Sequence, residues 1–218
     1  MGFYQRYLFP PIMDFLCGMM SEMRGPALAR AHGDVLEIGF GTGRNLPHYP
    51  GNVKTLTALD PMRALDTRVE GRIQAAPFPV VRKALPADGA LPFDSGRFDC
   101  VVSTWTLCSV DDPGAALGEL RRVLKPGGLF LFIEHGRSPH PGVARWQDRM
   151  TPLWGRVLGG CRLTLQIDNL IRNAGFTLSE MEAFVPPGRG SFSDQQYRGV
   201  ATPSATAPPG IRQTPSAP

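Results

Sequence analysis

Three glycines at every second position follow an apolar run in the segment VLEIGFGTGRN, at Gly39, Gly41 and Gly43. Glycine at a turn between a strand and a helix lets the backbone approach a ligand closely, and the start of the helix offers unpaired N–H groups. The dinucleotide fingerprint needs its third glycine one place further along, where this sequence has Arg44. The spacing therefore indicates a ligand-binding loop but argues against NAD.

Two acidic residues accompany this loop. Glu37 lies inside the apolar run, and Asp60 ends the next apolar run, VKTLTALD. An acidic side chain at the end of a second strand can accept hydrogen bonds from both hydroxyls of a ribose. A glycine loop for a methionine-like tail and an acid for a ribose together predict a site for S-adenosylmethionine. Taken alone, Asp60 is equally well explained as a turn residue before proline.

The hydrophobic pattern predicts the elements that must position these residues. Short aliphatic or β-branched runs alternate with longer amphipathic stretches, which is typical of a parallel sheet with helices on both faces. Asp112 and Pro113 are predicted to begin a helix that Gly127 and Gly128 stop. The predicted strands are 34–40, 53–60, 78–84, 98–104, 128–135, 176–184 and 195–201.

Composition limits the class of protein. The chain has 218 residues, of which 42% are hydrophobic and 19% charged, which suits one compact core. A net charge of +4 without a basic run makes nucleic acid a weak candidate partner. The N-terminal stretch contains Arg6, Asp14 and a Pro-Pro pair, so it lacks the pattern of a signal peptide, and no run reaches the roughly 18 apolar residues of a spanning helix. We expect a soluble, cytoplasmic monomer.

The sequence divides into three regions. Residues 1–33 mix aromatic, Met and Pro residues with helical spacing and are predicted to form an N-terminal helical lid, with contact to a membrane surface as the less favoured alternative. Residues 34–201 carry the alternating α/β pattern. Residues 202–218 are rich in proline and are predicted to be disordered, because they cannot bury enough apolar surface to offset the entropy of ordering.

The cysteines and one histidine remain to be considered. Cys17, Cys100, Cys108 and Cys161 are too widely and irregularly spaced for a C-x-x-C zinc or redox pair, so we expect free thiols and no metal site. His135 ends the predicted fifth strand, at the edge where open α/β sheets bind their ligands. Its position suits a functional role and a structural role equally.

Longer segments resemble known proteins. VLEIGFGTGRN, ALDP, ALPFDSGRFDCVVSTWTLCSV and LRRVLKPGGLFLFIEH resemble successive motifs of the class I S-adenosylmethionine-dependent methyltransferases. Further along, WQDRMTPLW, GGCRLT, AGF and YRGVA resemble the methyltransferase-like thiol S-methyltransferase family and its bacterial relatives. The resemblance implies a doubly wound, Rossmann-like α/β fold with seven mostly parallel strands, an antiparallel last strand and helices on both faces. It also implies S-adenosyl-L-methionine as cofactor and a small acceptor, with a thiol favoured.

The same resemblance assigns residues to the cofactor. Gly39, Gly41 and Gly43 would lie against the methionyl part, with Glu37 near its amino group, often through water. Asp60 would hold the ribose hydroxyls, and the further residues implied are Pro61 and Met62 packing on the adenine, Ala87 and Asp88 reading its edge, Thr104 facing the methionyl part, and Tyr4 and Tyr7 closing over the cofactor. This chain has PADGA where relatives commonly have G-D-A-E, which would leave a backbone contact to the adenine amine in place of a side-chain contact.

His135 is the candidate catalytic residue. A thiol with a pKa near ~8.5 is a few per cent thiolate at neutral pH and needs little activation, so His135 would either take the thiol proton or stabilise the thiolate. Two alternatives stay open: an N- or C-methyltransferase acting on a phospholipid or a quinone precursor, and a non-catalytic module that only binds S-adenosylmethionine.

Overall fold

The computed structural model describes residues 14–15, 18–60, 67–86 and 89–205. Its strands are β1 (Gly33–Ile38), β2 (Val53–Asp60), β3 (Val80–Ala84), β4 (Phe98–Thr104), β5 (Leu124–His135), β6 (Phe176–Phe184) and β7 (Gln196–Pro203). They form one sheet in the order β3-β2-β1-β4-β5-β7-β6. The first five strands pair in parallel, and β7 is antiparallel to both of its neighbours. The predicted seven-stranded sheet is confirmed.

The helices are α1 (Arg24–Leu28), α2 (Thr67–Gln74), α3 (Pro113–Val123), α4 (Pro141–Val157) and α5 (Ile167–Asn173). The predicted start of α3 is confirmed, because the Asp112 carboxylate accepts a hydrogen bond from the Ala115 N–H at 2.9 Å. Its predicted end is wrong. The helix stops at Val123, four residues before Gly127, since Pro126 disfavours helical backbone at the residue before it and has no N–H to donate.

Some strand boundaries also differ from the prediction. β1 spans Gly33–Ile38 instead of 34–40, and β3 begins at Val80, two residues later than predicted. β7 continues to Pro203, which pairs with Phe176, so the pairing of the sheet extends past the predicted start of the tail. Residues 206–218 lie outside the described residues.

Side chains from alternate positions of the central strands fill two layers of core. On β1, Leu36 and Ile38 pack in the layer that α3 and α5 cover, whereas Val35 packs in the layer that α1 and α2 cover. Strands covered on both faces contain unbroken apolar segments, such as the fully or largely buried residues 129–133 of β5. The parallel arrangement brings the carboxyl ends of β1, β2, β4 and β5 to one edge of the sheet.

Within the described ranges, no helix combines the length and the apolar character that crossing a membrane requires.

Candidate active site

A cavity of about 910 Å³ opens at the carboxyl edge of the sheet. Asp60, Thr104 and His135, which end β2, β4 and β5, all line it, together with the loop that follows β1. Its wall is mainly apolar, and its volume lies within the range of roughly 300–1,000 Å³ for small-molecule sites. The carboxyl edge, where parallel sheets bind their ligands, is therefore also the edge that has a cavity of suitable size.

The glycine loop forms one end of this cavity. A Cβ at Gly39, where φ is +70°, would fall 1.9 Å from Oγ1 of Thr106, so this position requires glycine. Gly41 lies in open space. A Cβ there would meet only the Gly39 carbonyl oxygen within 4 Å, at 3.9 Å. The Gly41 N–H donates a hydrogen bond to Oδ2 of Asp60 over 2.5 Å. An open cradle beside a carboxylate fits a ribose-containing cofactor such as S-adenosylmethionine.

Gly43 does not line the cavity, although the resemblance implies contact with the cofactor. Its φ is +74°, and a Cβ there would lie 3.0 Å from the Phe40 ring. The side chains of Phe40 and Leu46 surround it, so Gly43 shapes the turn after β1.

Glu37 also lies behind the loop. Its side chain is 1% exposed and accepts hydrogen bonds from Nδ2 of Asn45 at 2.9 Å and the Tyr49 hydroxyl at 2.7 Å. Burial raises the pKa of Glu37 to about 7. Asn45 also donates to Oγ1 of Thr104 at 3.0 Å, and Thr104 does line the cavity. Glu37 is thus linked to the cavity wall through Asn45 and Thr104. Its place near the cofactor amino group, often through water, stays a prediction that the resemblance implies.

Glu134 belongs to a segment that resembles the family, but the sequence indicated no role for it; in the structure it organises the loop after β4. Its fully buried carboxylate accepts hydrogen bonds from the Ser103 hydroxyl at 2.6 Å and from the N–H groups of Thr106, Leu107 and Cys108 at 3.0, 3.1 and 3.4 Å. Burial raises the pKa of this carboxyl group. An acidic residue inside the apolar run LFLFIEH was the available signal, because a buried charge needs partners.

Trp105 forms part of the wall in an unusual conformation. It has φ of 50°, which costs a residue with a Cβ roughly 1–3 kcal/mol. Its indole N–H donates to Oε1 of Gln196 at 2.6 Å, and the Arg24 guanidinium lies 4.7 Å from its ring centroid. Arg24 also donates to Oδ1 of Asn45 at 2.5 Å. These contacts tie the N-terminal segment to both the wall and the buried network.

Asp14 anchors the same segment to the glycine loop. It is buried and accepts hydrogen bonds from the Thr42 hydroxyl at 2.6 Å, from Nη2 of Arg44 at 2.7 Å and from Nη1 of Arg72 at 3.1 Å. The Arg44 hydrogen bond holds the pKa of Asp14 well below its ordinary range. Asp14 lines the cavity. That residues 1–33 form a lid stays a prediction.

Three potential metal ligands that line the cavity lie close together: Cys108, His135 and Cys161. Sγ of Cys108 and Sγ of Cys161 lie 3.4 Å apart, and Nδ1 of His135 lies 3.9 and 3.8 Å from them. The contact with Cys161, together with burial, raises the pKa of the Cys108 thiol well above its ordinary value. The spacing of the cysteines along the chain argued against a shared site. In the fold, the loop after β4 carries Cys108, the end of β5 carries His135 and the turn after α4 carries Cys161, and these three elements meet at the cavity. The three described cysteines carry free thiols, as expected.

Other predicted site residues lie outside the described residues: Tyr4, Tyr7, Pro61, Met62, Ala87 and Asp88. Pro86 and Gly89, which flank Ala87 and Asp88 in the sequence, line the cavity.

Comparisons with known proteins agree with this geometry. Residues 36–132 match a family model described as a methyltransferase domain. The chain is 35% identical over 176 residues to the thiol S-methyltransferase TMT1B of Homo sapiens, covering 78% of this chain and 70% of that protein. It is 31% identical over 129 residues to the phosphatidylethanolamine N-methyltransferase of Cereibacter sphaeroides, covering 57% of this chain and 63% of that protein. The solved structure of a SAM-dependent methyltransferase from Methanosarcina mazei has the same fold, with a TM-score of 0.60 at 19% identity, over 78% of this chain and 92% of that one.

Proposed function

The chain belongs to the S-adenosylmethionine-dependent methyltransferases, in the family that includes the thiol S-methyltransferases, and we propose that it methylates the sulfur of a small thiol. S-adenosyl-L-methionine is the cofactor, and the acceptor is a small molecule. The choice of a thiol rests on the 35% identity to a thiol S-methyltransferase. One structural observation supports a transfer reaction: Gly41, Asp60 and His135 line the same cavity.

The cofactor would lie along the glycine loop. It supplies a methyl group on a positively charged sulfur, which is a good leaving group. Asp60 would accept hydrogen bonds from the ribose hydroxyls, oriented by its hydrogen bond from the Gly41 N–H. Gly39, Gly41 and Thr104 would face the methionyl part, while Pro61, Met62, Ala87 and Asp88 keep the adenine contacts that the resemblance implies.

The acceptor would occupy the end of the cavity near His135. The described wall there includes Trp105, Trp154 and Leu158, whose apolar surface excludes water from a thiolate. Transfer from a sulfonium needs the nucleophile aligned and stripped of water more than it needs a strong base. His135 would take the thiol proton or stabilise the thiolate.

A lipid acceptor is the second candidate, because α4 exposes apolar side chains. Trp146 is 57% exposed and Leu153 is 56% exposed, and Val157 continues the same helical face. An apolar helical face of this kind suits the surface of a membrane. The relative from Cereibacter sphaeroides is named for a phospholipid substrate.

The first experiment measures S-adenosylhomocysteine release by the purified chain. One set of reactions contains small alkyl and inorganic thiols, and a parallel set contains phosphatidylethanolamine vesicles. We expect turnover with thiols and none with vesicles. Turnover with vesicles alone would replace the proposal by the lipid alternative, and release with neither would contradict it and favour the non-catalytic binding module. The cytoplasmic location and the monomeric state remain predictions.

A further inference from the structure

Cys108, His135 and Cys161 come from three separate elements, yet their ligand atoms all lie within 4.8 Å of one another. The spacing is that of a metal site. In a tetrahedral zinc site with Zn–S near 2.3 Å and Zn–N near 2.0–2.1 Å, two sulfurs lie about 3.8 Å apart and a sulfur and a nitrogen about 3.6 Å apart. The three observed separations, 3.4, 3.9 and 3.8 Å, agree with those values within about 0.4 Å.

Hydrogen bonds hold two of the three ligands in place before any metal binds. The Arg162 N–H donates to the Cys108 carbonyl at 2.7 Å, which joins the two cysteine-bearing loops through their backbones. Glu134 accepts from the N–H groups of Leu107 and Cys108, and the Cys161 N–H donates to the Leu158 carbonyl at 3.3 Å. A site with ligands fixed in this way loses little entropy when it binds its ion.

The histidine distinguishes a metal site from a disulfide pair. Two sulfurs 3.4 Å apart could also approach a disulfide, but a disulfide has no use for a third donor. Nδ1 of His135 is nearly equidistant from both sulfurs, as a shared ion at the centre of the three atoms requires. Two thiolates and a neutral imidazole are ligands that suit Zn²⁺.

We propose that Cys108, His135 and Cys161 bind a Zn²⁺ ion whose fourth coordination position faces the cavity. All three residues line the cavity, so an ion between them is open to it. Structural zinc sites are closed by four protein ligands, whereas three ligands and an open position are the arrangement of sites that bind a substrate or water. The two thiolates balance the charge of the ion.

The use of the open position rests on the proposed function. The sulfur of the acceptor thiol becomes the fourth ligand and releases its proton to solvent, because coordination to Zn²⁺ holds a thiol deprotonated. That sulfur then forms a bond to the methyl carbon while the bond between this carbon and the sulfonium sulfur breaks, and the electron pair of the broken bond stays on the departing sulfur. The products are a methyl thioether and S-adenosylhomocysteine. In this arrangement His135 stabilises the thiolate through the ion.

Metal binding is tested without reference to activity. The full chain is purified under reducing conditions, incubated with Zn²⁺ or Co²⁺, freed of unbound metal and analysed for metal per chain and for thiolate-to-cobalt charge-transfer absorption. We expect about one equivalent of metal and a charge-transfer band. Cys108→Ser and Cys161→Ser should each weaken binding at least about tenfold, because loss of a group that only hydrogen-bonds to a ligand already costs about 10–100-fold. Cys100→Ser is the matched control, because Cys100 is a buried free thiol on β4 and does not line the cavity.

Two results would overturn the site: less than about a tenth of an equivalent of bound metal in the reduced protein, or binding that both serine variants leave unchanged. A Cys108–Cys161 disulfide in freshly prepared protein that takes up no metal after reduction would do the same.

Addition of a small alkyl thiol to the cobalt-loaded chain then tests the fourth position, and it should change the visible cobalt spectrum. Metal binding without thiol turnover would leave the site standing and refute the proposed function. Thiol turnover by a chain that binds no metal would refute the site alone.

Discussion

The backbone N–H of Gly41 donates a hydrogen bond to Oδ2 of Asp60 over 2.5 Å. This bond joins the loop after β1 to the end of β2, the two features that sequence patterns single out for the cofactor. It orients the Asp60 carboxylate at the cavity wall, where the ribose of the cofactor is proposed to lie.

Asp60→Ala should weaken binding of S-adenosylhomocysteine by roughly 1–3 kcal/mol, because the ribose hydroxyls would lose a charged acceptor. Isothermal titration calorimetry measures the change. Asp148→Ala is the control, since Asp148 forms an exposed ion pair with Arg137 and does not line the cavity. Equal affinity for the Asp60 variant and the wild-type chain would show that other residues hold the ribose.

Gly39→Ala should destabilise the fold by roughly 1–3 kcal/mol or more, because a Cβ at this position meets the Thr106 side chain and the backbone has positive φ. Urea unfolding followed by tryptophan fluorescence gives the free energy of unfolding. Gly51→Ala is the matched control, with nothing within 4 Å of its Cβ, and should stay within about 0.5 kcal/mol of the wild type. If the two variants were equally stable, the close approach of the loop to Thr106 would be wrong.

Glu37 should make stability depend on pH. Its pKa is raised from 4.5 in the unfolded chain to about 7 in the fold, so the folded state keeps a proton that the unfolded state loses between these values. Its stabilising contribution is complete below pH 4.5 and is lost as the pH rises through about 7.

Glu37→Gln should remove this dependence, because the amide stays neutral and still accepts a hydrogen bond from Asn45. Urea unfolding at several pH values between 4 and 8 compares the two chains, and the wild type should lose on the order of 3 kcal/mol relative to the variant across that range. The pKa of Glu134 is also raised, but Glu134 is present in both chains, so its effect on stability cancels in the comparison. Parallel stability curves would contradict the raised pKa of the buried Glu37 carboxyl group.

His135→Ala should lower kcat/KM for a thiol acceptor at least about tenfold, equivalent to about 1.4 kcal/mol of transition-state stabilisation. Steady-state kinetics between pH 6 and 9 measures the loss. His140→Ala is the control, because His140 is exposed at the start of α4 and does not line the cavity. A change within about threefold across this pH range would remove His135 from the mechanism.

Local patterns in the sequence predicted most of the fold. Alternating apolar runs located all seven strands, and the Asp112-Pro113 pair located the start of α3, since periodicity and helix capping depend on residues close together in the chain. The glycine spacing and Asp60 also predicted two features that the structure brings together at the cavity. The end of α3 was missed because the sequence contains two competing stop signals, Pro126 and the glycine pair after it.

Some contacts at the site depend on tertiary structure and could not be predicted from the pattern of residues along the chain. The position of Glu37 behind the loop depends on hydrogen bonds from Asn45 and Tyr49, which lie 8 and 12 residues further along the chain. Cys108 and Cys161 are separated by 53 residues, and no local rule relates them. They meet beside His135 because the parallel sheet brings strand ends to one edge and α4 returns the chain to that edge. The sequence by itself determined the family, the fold and the cofactor loop, whereas packing of distant segments determined which side chains share the acceptor end of the cavity.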